Sequence, residues 1–126
     1  MYRMFVRMRM QQLILLIMIY FGTVASLMAN EYTATIGKTL ENGKLFIHPI
    51  VSSSQQETLR YELVSAKQGK SGRSQTSQSG NVLTEPRQPT MLSTLRLGVD
   101  DADQYTIILR IYADNNLVAT DEVQHP

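Results

Sequence analysis

The chain has 126 residues, no cysteine and two histidines, and its 12 basic residues nearly balance its 11 acidic residues. This length leaves room for one domain. The lack of cysteine excludes disulfide cross-links within the chain and every thiol-based mechanism.

The first 29 residues have the pattern of a secretory signal peptide. Basic residues precede an apolar run, Leu13–Leu27, and small residues follow it. We expect export and cleavage after Ala29, with a cut after Ser26 as the alternative. An uncleaved anchor is a second interpretation, but a spanning helix needs about 20 apolar residues. The remaining segment, residues 30–126, has nine basic and eleven acidic residues. Its net charge of −2 argues against a nucleic-acid-binding module, which needs a basic surface.

From residue 30 onward, apolar and polar residues alternate in the way that is typical of half-buried β-strands. Asn42-Gly43 separates the first two such segments and favours a two-residue hairpin, because both residues tolerate positive φ. For the predicted strand at Met91–Val99 there is an alternative, a short amphipathic helix at Thr90–Leu95. Seven strands are predicted, at Tyr32–Ile36, Lys44–Val51, Thr58–Ala66, Arg73–Ser79, Met91–Val99, Tyr105–Ala113 and Leu117–Val123.

Three of these segments carry information about their place in the sheets. Pro49 lacks a backbone N–H, so its strand is predicted to lie at a sheet edge or to end there. Arg73–Ser79 has no apolar face and should be an exposed edge. Tyr105–Ala113 is rich in Ile, Leu and Tyr and should be central. Short strands separated by frequent turn signals predict an all-β, immunoglobulin-like β-sandwich of about seven strands.

Nothing in the sequence favours catalysis or metal binding. His48 and His125 lack the ligand spacing of a zinc site, and no serine lies in a nucleophile elbow. Asp100, Asp101 and Asp103 offer clustered oxygens for calcium, but the spacing of a known calcium loop is missing. A solvated turn is the expected interpretation. We therefore expect a protein that is not an enzyme and that uses no cofactor and no metal.

The candidate functional residues lie in one strand–turn–strand unit that includes the polar stretch from residue 67 to residue 81. Its basic residues are Arg60, Lys67, Lys70 and Arg73, and Gln75 follows in the exposed strand. One interpretation is a solvated hairpin whose charges keep an edge strand from pairing with other chains. The functional hypothesis is a docking face for a partner that is acidic or rich in polar amides.

The same stretch resembles a known family. Gly69–Thr76, with the sequence GKSGRSQT, is similar to the G-x-S-G-x-S-Q-T turn and strand of the curli assembly proteins CsgC and CsgH. Gln88-Pro89 and the apolar strand Ile107–Ile111 follow in a similar order and spacing. The resemblance covers roughly residues 60–114. CsgC of enteric bacteria carries a Cys-x-Cys pair where this chain has Glu57 and Leu59, so the chain is expected to be closer to CsgH.

The resemblance implies a periplasmic, immunoglobulin-like protein that inhibits premature amyloid formation by curli subunits. Its implied partners are the major and minor curli subunits, and possible further partners are components of the curli secretion machinery. Neither nucleic acid nor, after signal cleavage, a membrane is an expected partner. The alternative function is that of a structural or accessory subunit that binds the secretion pore or the fibre. Two mechanisms fit the inhibitor: main-chain pairing with the exposed strand, and long-range attraction to the basic residues.

Overall fold

Eight β-strands and no helix make up the described part of the chain, residues 30–126 of a computed structural model. The predicted signal peptide, residues 1–29, lies outside the described residues. Within residues 30–126 we find no helix that could span a membrane. The strands are β1 (Tyr32–Glu41), β2 (Lys44–Ser53), β3 (Thr58–Gly69), β4 (Gly72–Leu83), β5 (Thr90–Met91), β6 (Leu95–Gly98), β7 (Gln104–Ala113) and β8 (Asn116–His125).

The strands form two antiparallel four-stranded sheets. In sheet A, β1 pairs with one side of β2, and the short strands β5 and β6 both pair with the other side. Sheet B has the order β4-β3-β7-β8, which confirms an exposed edge at β4 and an inner position for β7. Asn42 (φ 52°) and Gly43 (φ 74°) both have positive φ, so the predicted two-residue hairpin between β1 and β2 is also confirmed.

The core lies between the sheets and comes from one face of each long strand. In β7, for example, Ile107, Leu109 and Ile111 are fully buried, while Ile108 and Arg110 between them are half-buried on the outer face. Burial of each large aliphatic side chain contributes about 1.5–3 kcal/mol. The predicted all-β sandwich is therefore correct. The buried hydrophobic residues are Ile36, Leu45, Ile47, Val51, Leu59, Leu63, Leu95, Leu97, Tyr105, Ile107, Leu109 and Ile111.

The prediction that the second strand lies at an edge or ends at Pro49 is wrong. Strand β2 continues to Ser53 and has neighbours on both sides. Leu92 N donates to Pro49 O at 2.9 Å, so the backbone of Pro49 faces the side of β5 and β6. Pro49 lies opposite the break between these two strands, where no ladder donor is needed.

The region after Pro89 also differs from the prediction. The single strand expected at Met91–Val99 is divided into β5 and β6, which raises the strand count from seven to eight. The alternative helix at Thr90–Leu95 does not form. Only Leu95 and Leu97 turn fully into the core here, and the residues between β5 and β6 leave the ladder of β2.

Candidate partner-binding edge

Strand β4 is the outer strand of sheet B, and it pairs with β3 along its whole length. Among the described residues, no strand pairs with its other side. Nine of its twelve residues are exposed, and the three half-buried ones are Gln78, Gly80 and Val82. Arg73 is its only charged residue; Ser, Gln, Thr, Asn and Gly make up most of the rest. The strand is therefore long, accessible and almost uncharged.

The hydrogen-bond pattern shows which backbone groups of β4 face outward. Thr84 N donates to Glu57 O at 2.9 Å, one step beyond the paired residues Thr58 and Leu83. Hydrogen-bonded and non-hydrogen-bonded pairs alternate in an antiparallel ladder. Even-numbered residues of β4 thus bond to β3, and odd-numbered residues direct N–H and C=O away from the sheet. We call these outward groups the β4 edge; they belong to Arg73, Gln75, Ser77, Ser79, Asn81 and Leu83.

The edge of β1 is different, because a side chain from the other sheet covers its middle. Asp121 lies on the inward face of β8, and its Oδ2 accepts a hydrogen bond of 2.8 Å from the backbone N–H of Ile36. Strands β1 and β8 contact each other across the two sheets. An added strand would have to break this bond. Lys38 follows on the same edge, and a lysine there also opposes strand pairing.

The remaining side of sheet A is also a poor template for pairing. It consists of β5, with two residues, and β6, with four residues. The chain leaves the ladder between them, and Pro89 precedes β5. Short, interrupted edge strands offer few consecutive backbone groups.

Strand β8, the other edge of sheet B, carries Asp121 and Glu122, contacts β1 and has a register shift opposite Ile111 and Tyr112. Charged residues and bulges hinder strand addition. In the described part of the protein, β4 is therefore the edge best suited to bind another strand.

The structure does not bring the five predicted site residues into one patch. Lys70, Arg73 and Gln75 are exposed near the turn between β3 and β4. Arg60 lies at the other end of β3, seven residues from Lys67. At about 3.3 Å per residue, this separation is roughly 23 Å along the strand.

Lys67 is directed toward the interior and stabilises the fold. Its Nζ donates to the carbonyl oxygen of Gly98 at 2.6 Å and lies 3.9 Å from Asp103 Oδ2. Only 17% of the Lys67 side chain is exposed. The ammonium group joins β3 to the connection between β6 and β7, so it contributes little to a docking surface.

Arg60 belongs to a separate network on the outer face of sheet B. Its guanidinium lies 4.1 Å from the centroid of the Tyr112 ring and 3.4 Å from Glu62 Oε2. Glu62 Oε1 also accepts a hydrogen bond of 3.3 Å from Arg110. The carboxylate of Glu62 is thus shared by the two guanidinium groups of Arg60 and Arg110. This network is distinct from the charges at the turn.

Several residues of the G-x-S-G-x-S-Q-T motif have structural roles. The carboxylate of Asp103 lies against Gly69 so closely that a Cβ at Gly69 would collide with it. Gly72 has a φ of 108°, which disfavours other residues. Thr76 and Ser65 form a hydrogen bond between their hydroxyl groups, on the inner face. The motif thus fixes the hairpin, and within it Lys70, Ser71, Arg73 and Gln75 present side chains to solvent.

Asp103 is the residue whose importance the sequence did not reveal. It is 2% exposed, and its Oδ2 accepts a hydrogen bond of 2.9 Å from Asp100 N. With Lys67 and Gly69 it ties the hairpin to the turn before β7. Among the described residues, no group of three or more histidines and acidic residues has a geometry for a metal ion.

Comparison with known proteins agrees with this architecture. The family model described as thin aggregative fimbriae synthesis protein, Tafi-CsgC, matches residues 25–123. The chain belongs to this family. Its members act in curli biogenesis, so the chain has a role in that process. No curated protein sequence gave a significant match.

Two solved structures share the fold. The E. coli curli protein CsgC superposes with a TM-score of 0.64 at 24% identity, covering 75% of this chain and 97% of that protein. CsgH of R. palustris superposes with a TM-score of 0.62 at 15% identity, covering 74% of this chain and 91% of that protein. Identity is thus higher to CsgC, and the closer relation to CsgH that the missing cysteine pair suggests stays a prediction.

Proposed function

We propose that residues 30–126 act in the periplasm as a chaperone-like inhibitor of premature amyloid formation by curli subunits. The observation that supports this proposal is the β4 edge, which offers consecutive backbone groups for main-chain pairing with an extended client. This activity is binding and requires no catalytic group and no cofactor. The proposed clients are the major and minor curli subunits in unfolded or early aggregated forms.

Pairing with β4 would delay a fibre rather than start one. A cross-β fibre grows when identical strands stack in register on both sides of each strand. A client strand bound to β4 has one side occupied by a strand of different sequence. Because β4 belongs to a folded sheet and already occupies that side, identical client strands cannot stack there.

The test is polymerisation of a purified curli major subunit, followed by amyloid-dye fluorescence with substoichiometric residues 30–126 added. We expect a longer lag phase. The Gln75→Pro variant should lose most of this effect, because it removes an outward N–H without removing a hydrogen bond to β3. Gln75→Ala is the matched control, since it keeps the N–H. An unchanged lag phase with the wild-type protein, even at equal ratio, would exclude the inhibitor function.

Electrostatic attraction is the competing mechanism for the same function. Lys70 and Arg73 remain accessible, whereas Lys67 is engaged with Gly98 and Asp103. Lys70→Glu combined with Arg73→Glu reverses the accessible charge and leaves the Lys67 contacts in place. If attraction dominates, this variant and added salt should each shorten the lag phase. If pairing dominates, the Gln75→Pro variant should have the larger effect.

The β4 edge also fits the alternative function of an accessory subunit in the secretion pore or the fibre. Such a subunit would remain bound at a fixed ratio. Sedimentation of the fibres after polymerisation separates the two functions, because an inhibitor stays mainly in the supernatant. Recovery of residues 30–126 at constant stoichiometry in the fibre pellet would favour the accessory subunit.

A further inference from the structure

A depression lies on sheet B at the end near the turn between β3 and β4. Its volume is about 500 Å³. It spans the first residues of β4, the last residues of β3 and the first residues of β7. The residues that line it are Ala66, Lys67, Gln68, Arg73, Ser74, Gln75, Gln104, Tyr105 and Thr106.

The register of the strands explains why a depression forms there. Ala66 pairs with Gln75 of β4 on one side and with Thr106 of β7 on the other. Gln68 pairs with Arg73 and Gln104 in the next row. Directly opposed residues point to the same face of a sheet, so the longer side chains surround Ala66. The methyl group of Ala66 is too small to fill the space between them.

The side chains around Ala66 determine which ligand fits. Gln68, Gln75 and Gln104 are all exposed, and no described residue hydrogen-bonds to their side-chain amides. Each amide offers both donors and acceptors. A carboxylate would use only the donors, and an ammonium group only the acceptors. A primary carboxamide uses both, and Arg73 adds a further donor at the rim.

We propose that this depression binds the carboxamide side chain of an Asn or Gln in the client segment that pairs with the β4 edge. The inference rests on the proposed function, because it identifies which client residues are recognised. Arg73 and Gln75 belong to both the depression and the β4 edge. An added strand would lie about 4.8 Å from β4, with alternate side chains on the face that carries Gln75. The depression therefore selects amide-rich strands among all extended chains that the backbone could pair with.

The test uses two extended Ser/Gly-rich peptides that differ only in having Gln or Met, of similar length and shape, at the same positions. Each is titrated into ¹⁵N-labelled residues 30–126 and followed by NMR. We expect the Gln peptide to bind about tenfold more tightly, as one or two additional hydrogen bonds would give. The side-chain NH₂ signals of Gln68, Gln75 and Gln104 should shift with the Gln peptide only.

Two variants test the location. Ala66→Leu fills the depression and should abolish the preference for the Gln peptide while it leaves binding of the Met peptide unchanged. Gln104→Ala should reduce the preference, and the matched control Gln88→Ala, in the exposed connection before β5, should not. Equal binding of both peptides by the wild-type protein, or a preference that survives Ala66→Leu, would overturn the proposed carboxamide site but not main-chain pairing at β4. If neither peptide bound the wild-type protein, main-chain pairing at β4 would be excluded as well.

Discussion

Strands β1 and β4 are both long edge strands of this sandwich, but their outward backbone groups have opposite environments. At β1, the carboxylate of Asp121 occupies the outward N–H of Ile36, and Lys38 adds a charge nearby. At β4, the outward backbone groups between Gln75 and Leu83 have neither an internal partner among the described residues nor a charged neighbour in that part of the strand. Both strands have ten residues or more. Length alone therefore does not distinguish them; the difference lies in the side chains.

The difference indicates that the unpaired edge of β4 is not a general property of the domain's edge strands. Soluble β-proteins usually block long edges because such edges promote aggregation. Here the blocking device exists in the same domain, yet it is applied to β1. The polar side chains of β4 reduce the hydrophobic attraction that aggregation needs, while they leave main-chain pairing available. That combination suits brief contacts with a strand-forming client.

The largest expected effect tests whether even-numbered residues of β4 bond to β3 while odd-numbered residues direct their backbone groups outward. Thr76 bonds to β3 through both its backbone and its hydroxyl group. Thr76→Pro should lower the free energy of unfolding by about 3 kcal/mol, because one ladder bond and the hydroxyl bond to Ser65 are lost. Urea denaturation measures this. Gln75→Pro is the matched control, and its free energy of unfolding should fall much less. Equal decreases in the two variants would show that the outward groups are wrongly assigned.

Removing the cap from β1 should make this edge resemble that of β4. Asp121→Ala leaves the N–H of Ile36 without its charged acceptor and should reduce the free energy of unfolding by about 1.5–3 kcal/mol. Asp121→Asn keeps an acceptor, so its free energy of unfolding should fall less. Glu122→Ala, on the outer face of the same strand, is the control. We also expect Asp121→Ala to self-associate in analytical ultracentrifugation; a variant as stable and monomeric as the wild-type protein would contradict the capping role.

The hairpin that presents the β4 edge depends on the contact between Gly69 and Asp103. Gly69→Ala should lower the free energy of unfolding by about 1–3 kcal/mol, because the added methyl group collides with the carboxylate. Gly98→Ala is a matched control, since a Cβ there meets no atom within 4 Å. A double-mutant cycle with Asp103→Ala should show coupling between the two sites. Additive losses would mean that the contact is unimportant.

Local patterns were sufficient to predict most strands. Alternation at Ile107, Leu109 and Ile111 predicts a strand with one buried face, and Asn42-Gly43 predicts its hairpin from two residues alone. The exposed position of β4 also followed from sequence, because a segment without apolar residues has no face to bury.

Contacts between distant residues were not predictable. Lys67 looked like a surface charge because its acceptor, Gly98 O, lies 31 residues away in the chain. The bond between Ile36 and Asp121 joins residues 85 positions apart. The tolerance of Pro49 depends on a break in the pairing strands opposite it. In each case the deciding partner is fixed by sheet topology, and no local pattern contains it.

The smallest expected effect on stability gives the sharpest functional comparison of the two edges. Ser77→Lys places on β4 the kind of charge that Lys38 provides on β1. Because Ser77 is exposed, the free energy of unfolding should change by less than about 0.5 kcal/mol. The lag phase of curli subunit polymerisation should nevertheless shorten, since an edge lysine hinders strand addition. Thr39→Lys on β1 adds the same charge away from β4 and should leave the lag phase unchanged. If both variants shortened it equally, net charge rather than the β4 edge would control inhibition.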